Sequence, residues 1–146
     1  MLEITNTTKQ KINQKKAIAV AEGLLTFYKK NNQEVSLVII GDKKMQSLNC
    51  AFRRIDKTTD VLSFSGQPSS PLLLGEIFIN IQEAGRTKKY QEMFNAKKSR
   101  DYIFYFLLVH GLLHLLGYDD KTEKTRAAMI TLGETFLNGF FKKKVV

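Results

Sequence analysis

Residues 102–120 read YIFYFLLVHGLLHLLGYDD, which is the longest apolar stretch of the chain and contains both of its histidines. His110 and His114 are four residues apart, so in a helix of 3.6 residues per turn both imidazoles project from one face and can bind one cation. We therefore predict a helix that begins at Lys97 or Ser99, lies in the middle of the fold and carries a metal site near its end.

The residues after the second histidine support the metal site. Gly117 permits the left-handed conformation that ends a helix, so the chain can double back and bring either Asp119 or Asp120 toward the same cation. The alternative is that both histidines are core residues whose ring nitrogens meet backbone carbonyls or water. The spacing is also related to that of zinc proteases, but Gly111 stands where those enzymes have a glutamate as general base. A metalloprotease would need a base from elsewhere.

Size and charge indicate one basic domain. The chain has 146 residues, of which 43% are hydrophobic and 25% are charged, so we expect a single domain over residues 1–146. The formal net charge is +9, from 23 Lys and Arg against 14 Asp and Glu. This excess favours a polyanionic partner such as RNA, DNA or an anionic membrane. A generic basic protein without such a partner is the alternative.

Cysteine content and the amino terminus favour a cytoplasmic protein. Cys50 is the only cysteine, which excludes an intramolecular disulfide and a thiolate zinc cluster. Residues 1–6 lack the basic and apolar regions of a secretory signal. The apolar run at 102–116 is short for a membrane span and includes both histidines, so we expect a buried core helix and no membrane insertion.

Hydrophobic periodicity predicts an α+β fold, in which a small mixed sheet of three or four strands packs against about five helices. Strands are expected at residues 2–5, 35–40, 60–65 and 72–81. Helices are expected around residues 17–28, at 43–51 with Asp42 as its cap, at 83–93, over the histidine segment, and around 129–140. A loop is expected at 66–71, and Lys142, Lys143 and Lys144 form a basic tail.

Two motifs resemble the YbeY family of bacterial rRNA maturation factors, which are proposed single-strand endoribonucleases. The motifs are TDVLSF at residues 59–64 and HGLLHLLGYD at 110–119. NCAFR at 49–53 and LGEIFI at 74–79 occur in the family's order and spacing as well. The resemblance therefore covers about residues 35–136.

The resemblance implies an α+β fold, one zinc ion held by three histidines, and an arginine in the cleft that acts on RNA. The first two ligands would be His110 and His114, and the arginine would be Arg53. Asp120 occupies the place of the third histidine. An aspartate oxygen binds zinc at nearly the same distance as an imidazole nitrogen, so Asp120 is expected to complete the site. Because carboxylates are harder ligands, Mn²⁺ or Fe²⁺ are alternatives, and loss of the metal is a further one.

Taken together, these features predict a monomeric, metal-dependent endoribonuclease specific for single-stranded RNA. The resemblance implies a role in 16S rRNA maturation and ribosome quality control, with precursor rRNA and the small ribosomal subunit as partners. Arg53 would bind the phosphodiester and stabilise charge in the transition state, while the general base is unassigned. The alternatives are a non-catalytic RNA-binding assembly factor with a structural metal, and a metalloprotease-like hydrolase.

Overall fold

Four strands form one mixed sheet in the computed structural model, which describes residues 1–144. In chain order the strands are β1 (Leu2–Asn6), β2 (Glu34–Ile40), β3 (Val61–Ser65) and β4 (Leu73–Asn80). Their order in the sheet is β1-β2-β4-β3, with β1, β2 and β4 parallel and β3 antiparallel at the edge beside β4. All four predicted strands are confirmed within one residue at each end.

Six α-helices accompany the sheet among residues 1–144. They are α1 (Gln14–Phe27), α2 (Asp42–Arg53), α3 (Ile81–Ala84), α4 (Gln91–Phe94), α5 (Arg100–Leu115) and α6 (Glu123–Lys144), and a short 3-10 helix spans Thr87–Tyr90. The predicted α+β class is confirmed, and these residues form one domain. The prediction that this domain extends over residues 1–146 includes two residues outside the described range.

Helix α5 lies at the centre of the fold. It packs on β3 and β4 and is flanked by α1 and α6. Eleven of its sixteen residues are buried, which explains why its sequence is apolar on almost every side. Helix α5 approaches the sheet closely at Gly111, where an added Cβ would lie 2.9 Å from Cγ2 of Ile77. A glycine between the two histidines therefore lets this part of the helix pack directly on β4.

Helix α2 covers the opposite face of the sheet. Met45 of this helix is buried against Ile40 of β2 and Leu62 of β3. The prediction that Asp42 caps this helix is wrong, because Gly41 is the N-cap and makes no side-chain capping bond. The carboxylate of Asp42 instead accepts hydrogen bonds from Asn80 and Arg86, and so it joins α2 to the segment after β4.

The single helix predicted at 83–93 is also wrong. The segment consists of α3, the 3-10 helix and α4, each four residues long. Asn80 caps α3 and Gly85 ends it, and the next residue, Arg86, has φ −82° and ψ 63°, which lies outside the helical region. Three short helical segments therefore replace one continuous helix.

The carboxyl-terminal helix is longer than its apolar stripe. The helix predicted around 129–140 is confirmed, with Met129, Gly133 and Leu137 buried on the side that faces α5. The predicted basic tail at 142–144 is instead the last turn of α6. Among the described residues, no helix is both long and apolar enough to cross a lipid bilayer.

Candidate metal centre

Three side chains converge at the end of α5. Nε2 of His110 lies 3.4 Å from Oδ2 of Asp120, and Nε2 of His114 lies 3.3 Å from the same oxygen. The two imidazole centroids are 4.8 Å apart with their planes at 83°. The structure thus brings together the two histidines and the aspartate that sequence analysis selected, and this group could bind a metal ion.

The turn after α5 positions the carboxylate. Gly117 has φ 106°, and its N–H donates to the carbonyl of His114, while the N–H of Tyr118 donates to the carbonyl of Leu113. This is a Schellman ending, for which glycine is the favoured residue. The predicted left-handed turn is therefore confirmed, and it reverses the chain within three residues of Asp120.

The two acidic residues of the turn have different surroundings. Asp119 is exposed, and its Oδ1 accepts a hydrogen bond from the backbone N–H of Lys121 at 3.1 Å, so it stabilises the turn itself. Asp120 is partly buried and its Oδ2 faces both histidines. Of the two carboxylates that the sequence left open, the one facing the imidazoles is Asp120.

Backbone and ring contacts orient the imidazoles. Nδ1 of His114 lies 3.1 Å from the carbonyl oxygen of Tyr118, which can only accept, so Nδ1 carries the proton and the lone pair of Nε2 points to the site. The ring of His110 is stacked on Phe106, with centroids 5.8 Å apart. An imidazole held through one nitrogen and free at the other is the usual form of a metal-binding histidine.

Burial and neighbouring charges shift the pKa values of His110 and Asp120. Burial lowers the pKa of His110, and the nearby His114 lowers it further, against the opposing effect of Asp120. Burial acts to raise the pKa of Asp120, but the charge of His114 and the hydrogen bond from His110 outweigh it, so this pKa is lowered. These shifts favour the neutral imidazole of His110 and the ionised carboxylate of Asp120.

The spacing of these atoms suits a tetrahedral metal. Nitrogen and oxygen ligands lie about 2.0–2.1 Å from zinc, which places neighbouring ligand atoms of a tetrahedron about 3.3–3.4 Å apart. The two distances from Oδ2 of Asp120 to the imidazole nitrogens are 3.3 and 3.4 Å. The two edges that involve Asp120 therefore match such a tetrahedron, while the three ligand atoms as a set lie within 4.8 Å of one another.

A cavity of about 560 Å³ opens onto the three side chains. Arg53, the last residue of α2, lines it from one side, and Arg126, in the first turns of α6, also lines it. Neither arginine forms an ion pair with another residue in the described part of the chain. The cavity therefore places two uncompensated guanidinium groups beside the imidazoles and the carboxylate.

Two polar residues of the TDVLSF motif have structural partners. Asp60 accepts a hydrogen bond from the hydroxyl of Tyr90 at 2.9 Å, and Ser63 donates to the carbonyl of Gly111 at 3.1 Å. Burial and the negative charge of Asp60 raise the pKa of Tyr90 well above its usual range. Both residues line the cavity, and their bonds fix β3 against α5 and the 3-10 helix.

Arg126 was not identified from the sequence. It belongs to no motif, and 73 residues separate it from Arg53, so neither spacing nor periodicity connects the two. Several other basic residues have partners elsewhere in the described part of the chain. Lys89 and Arg100 form ion pairs with acidic neighbours, and Lys16 and Lys98 lie over aromatic rings.

The sequence matches a known family along nearly its whole length. The sequence model described as Endoribonuclease YbeY matches residues 3–140. The chain is 36% identical over 124 residues to the Endoribonuclease YbeY of Heliobacterium modesticaldum, covering 75% of this chain and 71% of that protein. Over 94 residues it is 45% identical to that of a Nitratiruptor species, covering 63% and 60%. Over 128 residues it is 36% identical to that of Syntrophotalea carbinolica, covering 83% and 81%.

A solved structure shares the fold. The solution structure of TM1509 from Thermotoga maritima has a TM-score of 0.62 to this chain and 23% sequence identity, and the match covers 98% of this chain and 91% of that one. At this identity the likeness concerns the fold alone. The chain belongs to the Endoribonuclease YbeY family, as the two sequence motifs predicted.

Proposed function

We propose that this protein is a metal-dependent endoribonuclease that cleaves single-stranded RNA during rRNA processing. The observation that carries the proposal is the convergence of two imidazoles and one carboxylate in a cavity that two arginines also line. Membership of a family described as Endoribonuclease YbeY supports the reaction class, and the net charge of +9 supports a polyanionic substrate. We propose zinc as the metal, with His110, His114 and Asp120 as its ligands.

In this proposal the arginines bind the substrate. A guanidinium group presents a planar pair of N–H donors that matches two phosphate oxygens, so Arg53 would hold the phosphodiester and stabilise charge that grows during cleavage. Arg126 would contact the same or the adjacent phosphate from the opposite element. Lewis-acid polarisation of a phosphoryl oxygen is the chemistry that a bound zinc ion supplies in such a site.

Hydrogen bonds within the protein orient His114 and Asp60 in the cavity. The carbonyl of Tyr118 keeps the Nδ1 proton of His114 in place, so that Nε2 stays available. Asp60 is the remaining carboxylate that lines the cavity, and the hydroxyl of Tyr90 donates to it. We assign no general base: attack of the adjacent 2′-hydroxyl on the phosphodiester would form a 2′,3′-cyclic phosphate, the 5′-oxygen of the next nucleotide would leave with a proton as a hydroxyl, and the 2′ proton would pass to solvent.

The experiment is a cleavage assay on a labelled single-stranded RNA with purified protein. We expect cleavage that a chelator abolishes and added zinc restores, and a loss of about 10²–10³ in kcat/KM for Arg53→Ala. Arg53→Lys should restore only part of the loss, because a lysine lacks the planar fork. Lys30→Ala, which removes the same charge from an exposed residue after α1, is the control and should retain activity.

Other results would favour another function. Salt-sensitive RNA binding without cleavage under any metal would indicate a non-catalytic assembly factor, and turnover of a peptide but not RNA would indicate a metalloprotease-like hydrolase.

We further propose precursor rRNA and the small ribosomal subunit as partners, a monomeric state, and a cytoplasmic location. Co-sedimentation with small subunits at moderate salt tests the ribosomal part of this proposal.

A further inference from the structure

A second cavity of about 590 Å³ lies beside the metal centre, between α2 and the sheet. Three phenylalanines line this cavity: Phe52 of α2, Phe64 of β3 and Phe78 of β4. We call this cavity the aromatic groove. The ring centroids of Phe52 and Phe64 are 5.1 Å apart, and those of Phe64 and Phe78 are 5.8 Å apart. The outermost ring, that of Phe52, is 66% exposed, so much of it is accessible to a ligand.

The aromatic groove is continuous with the metal centre. Ser63 and Phe64 line both cavities, because β3 is the edge strand that separates them. Phe52 directly precedes Arg53, which lines the cavity of the metal centre. A molecule that crosses the edge of β3 would therefore contact the aromatic ring and the guanidinium in succession.

The charges around the groove favour a nucleic acid. Arg53 and Arg54 follow Phe52 in the chain and both are exposed, while Glu76 is the one acidic residue that lines the groove. Exposed aromatic rings beside a basic track are the usual means of binding single strands, since each base offers a flat π-face and each phosphate a charge. The carboxylate of Glu76 can accept a hydrogen bond from a base amino group.

We propose that the aromatic groove stacks a base of single-stranded RNA whose neighbouring phosphodiester lies at the metal centre. This inference rests on the proposed function and adds a substrate contact to it. Paired bases in an A-form duplex are already stacked, so they cannot lie on Phe52. The groove thus gives a physical reason for selecting single strands, with Phe52 as the residue that contributes most.

The test is binding of a labelled 2′-O-methyl oligo(A) of about ten nucleotides, which resists cleavage, measured by fluorescence anisotropy at one fixed salt concentration. Phe52→Leu should raise Kd about tenfold, because stacking on an aromatic ring is lost. Phe52→Trp should retain the affinity of the unchanged protein. Phe27→Leu is the control, since Phe27 is 72% exposed but lies on α1, away from both cavities, and its Kd should not change.

An abasic oligonucleotide of the same length separates stacking from charge. The unchanged protein and Phe52→Leu should bind it equally, because no base is present to stack. Equal Kd values for oligo(A), or a difference that persists on the abasic strand, would overturn the proposal. Tight binding of an uncharged extended peptide that Phe52→Leu weakens would also overturn it, in favour of a peptide site.

These outcomes are distinct from those of the cleavage assay. The binding experiment measures Kd and does not depend on cleavage, so base stacking can be absent while metal-dependent cleavage is present. In that case the nuclease proposal stands and the groove proposal falls. If the protein stacks the base but never cleaves RNA, the nuclease proposal falls and base stacking in the aromatic groove stands.

Discussion

Asp120 is the residue that sets this candidate metal centre apart from a three-histidine site. Its Oδ2 approaches both imidazoles, and it brings a negative charge that a histidine would not. A carboxylate ligand makes the bound metal less electron-poor, and a zinc-bound water should then be a weaker acid than in a three-histidine site. The identity of one side chain is therefore expected to tune both metal choice and reactivity.

Substitution of Asp120 tests its contribution to zinc binding. Asp120→Asn should weaken zinc binding at least about tenfold, because the substitution removes the anionic ligand and keeps the shape. Competition with a fluorescent zinc chelator measures the affinity. Asp119→Asn is the matched control, since its amide oxygen can still accept from the N–H of Lys121, and it should bind zinc as before. A zinc affinity that falls for Asp119→Asn and not for Asp120→Asn would exclude the assigned ligand.

At the residue scale the sequence predicted the histidine pair and the acidic turn because all three ligands lie within eleven residues of one helix and its ending. Local geometry is sufficient there, because the helical repeat fixes which residues lie on the same face. Choosing between Asp119 and Asp120 from the residues alone was not feasible, because the choice depends on how far Gly117 reverses the chain. The resemblance to the family made that choice where helix geometry could not.

At the scale of elements, the fit of α5 on the sheet controls the site. Gly111→Ala should destabilise the protein by about 1–3 kcal/mol, because the added Cβ would lie 2.9 Å from Cγ2 of Ile77 and 3.1 Å from Oγ of Ser63. Urea denaturation followed by circular dichroism measures the change. Gly139→Ala on α6 meets no atom within 4 Å and should stabilise by up to about 1 kcal/mol. Equal effects of the two substitutions would refute the close packing of α5.

The link between α2 and the segment after β4 should depend on pH. Arg86 donates to both carboxylate oxygens of Asp42, which lowers the pKa of this carboxyl from 3.8 to about 2. A lowered folded-state pKa stabilises the protein above the unfolded value, and this contribution is lost as the pH falls from about 4 through about 2.

Asp42→Asn should therefore reduce the free energy of unfolding by about 1 kcal/mol at pH 7. The difference between variant and unchanged protein should shrink in urea titrations between about pH 4 and pH 2. A constant difference over this range would mean that the charge of Asp42 does not support the fold. Asp56→Asn, a nearby exposed carboxylate that accepts from Gln46 and forms no ion pair among residues 1–144, is the control.

Elements were predictable where a single periodicity extends over many residues. The four strands and the helices α1, α2, α5 and α6 each have a clear apolar pattern. The segment between β4 and α5 was mispredicted because Asn80 and Gly85 start and end a helix within six residues. Partners that are distant in the chain help to decide this segment, among them the ion pair of Arg86 with Asp42 and the hydrogen bond from Tyr90 to Asp60.

At the scale of the whole molecule, folding brings the basic and metal-binding residues to one cavity. Arg53 ends α2, Arg126 lies on α6, and the histidines belong to α5, so three separate helices contribute. Composition predicted a polyanionic partner from the net charge of +9, but not where that partner binds. Only the path of the chain shows that several of the other basic residues, such as Lys89 and Lys98, serve local ion pairs and ring contacts.

The most direct test of the central claim combines elemental analysis of the purified protein with its RNA cleavage. The account predicts about one metal ion per chain, held by His110, His114 and Asp120, and cleavage of single-stranded RNA that disappears with the metal and returns with added zinc. Cleavage that continues undiminished in a protein with no bound metal would contradict it.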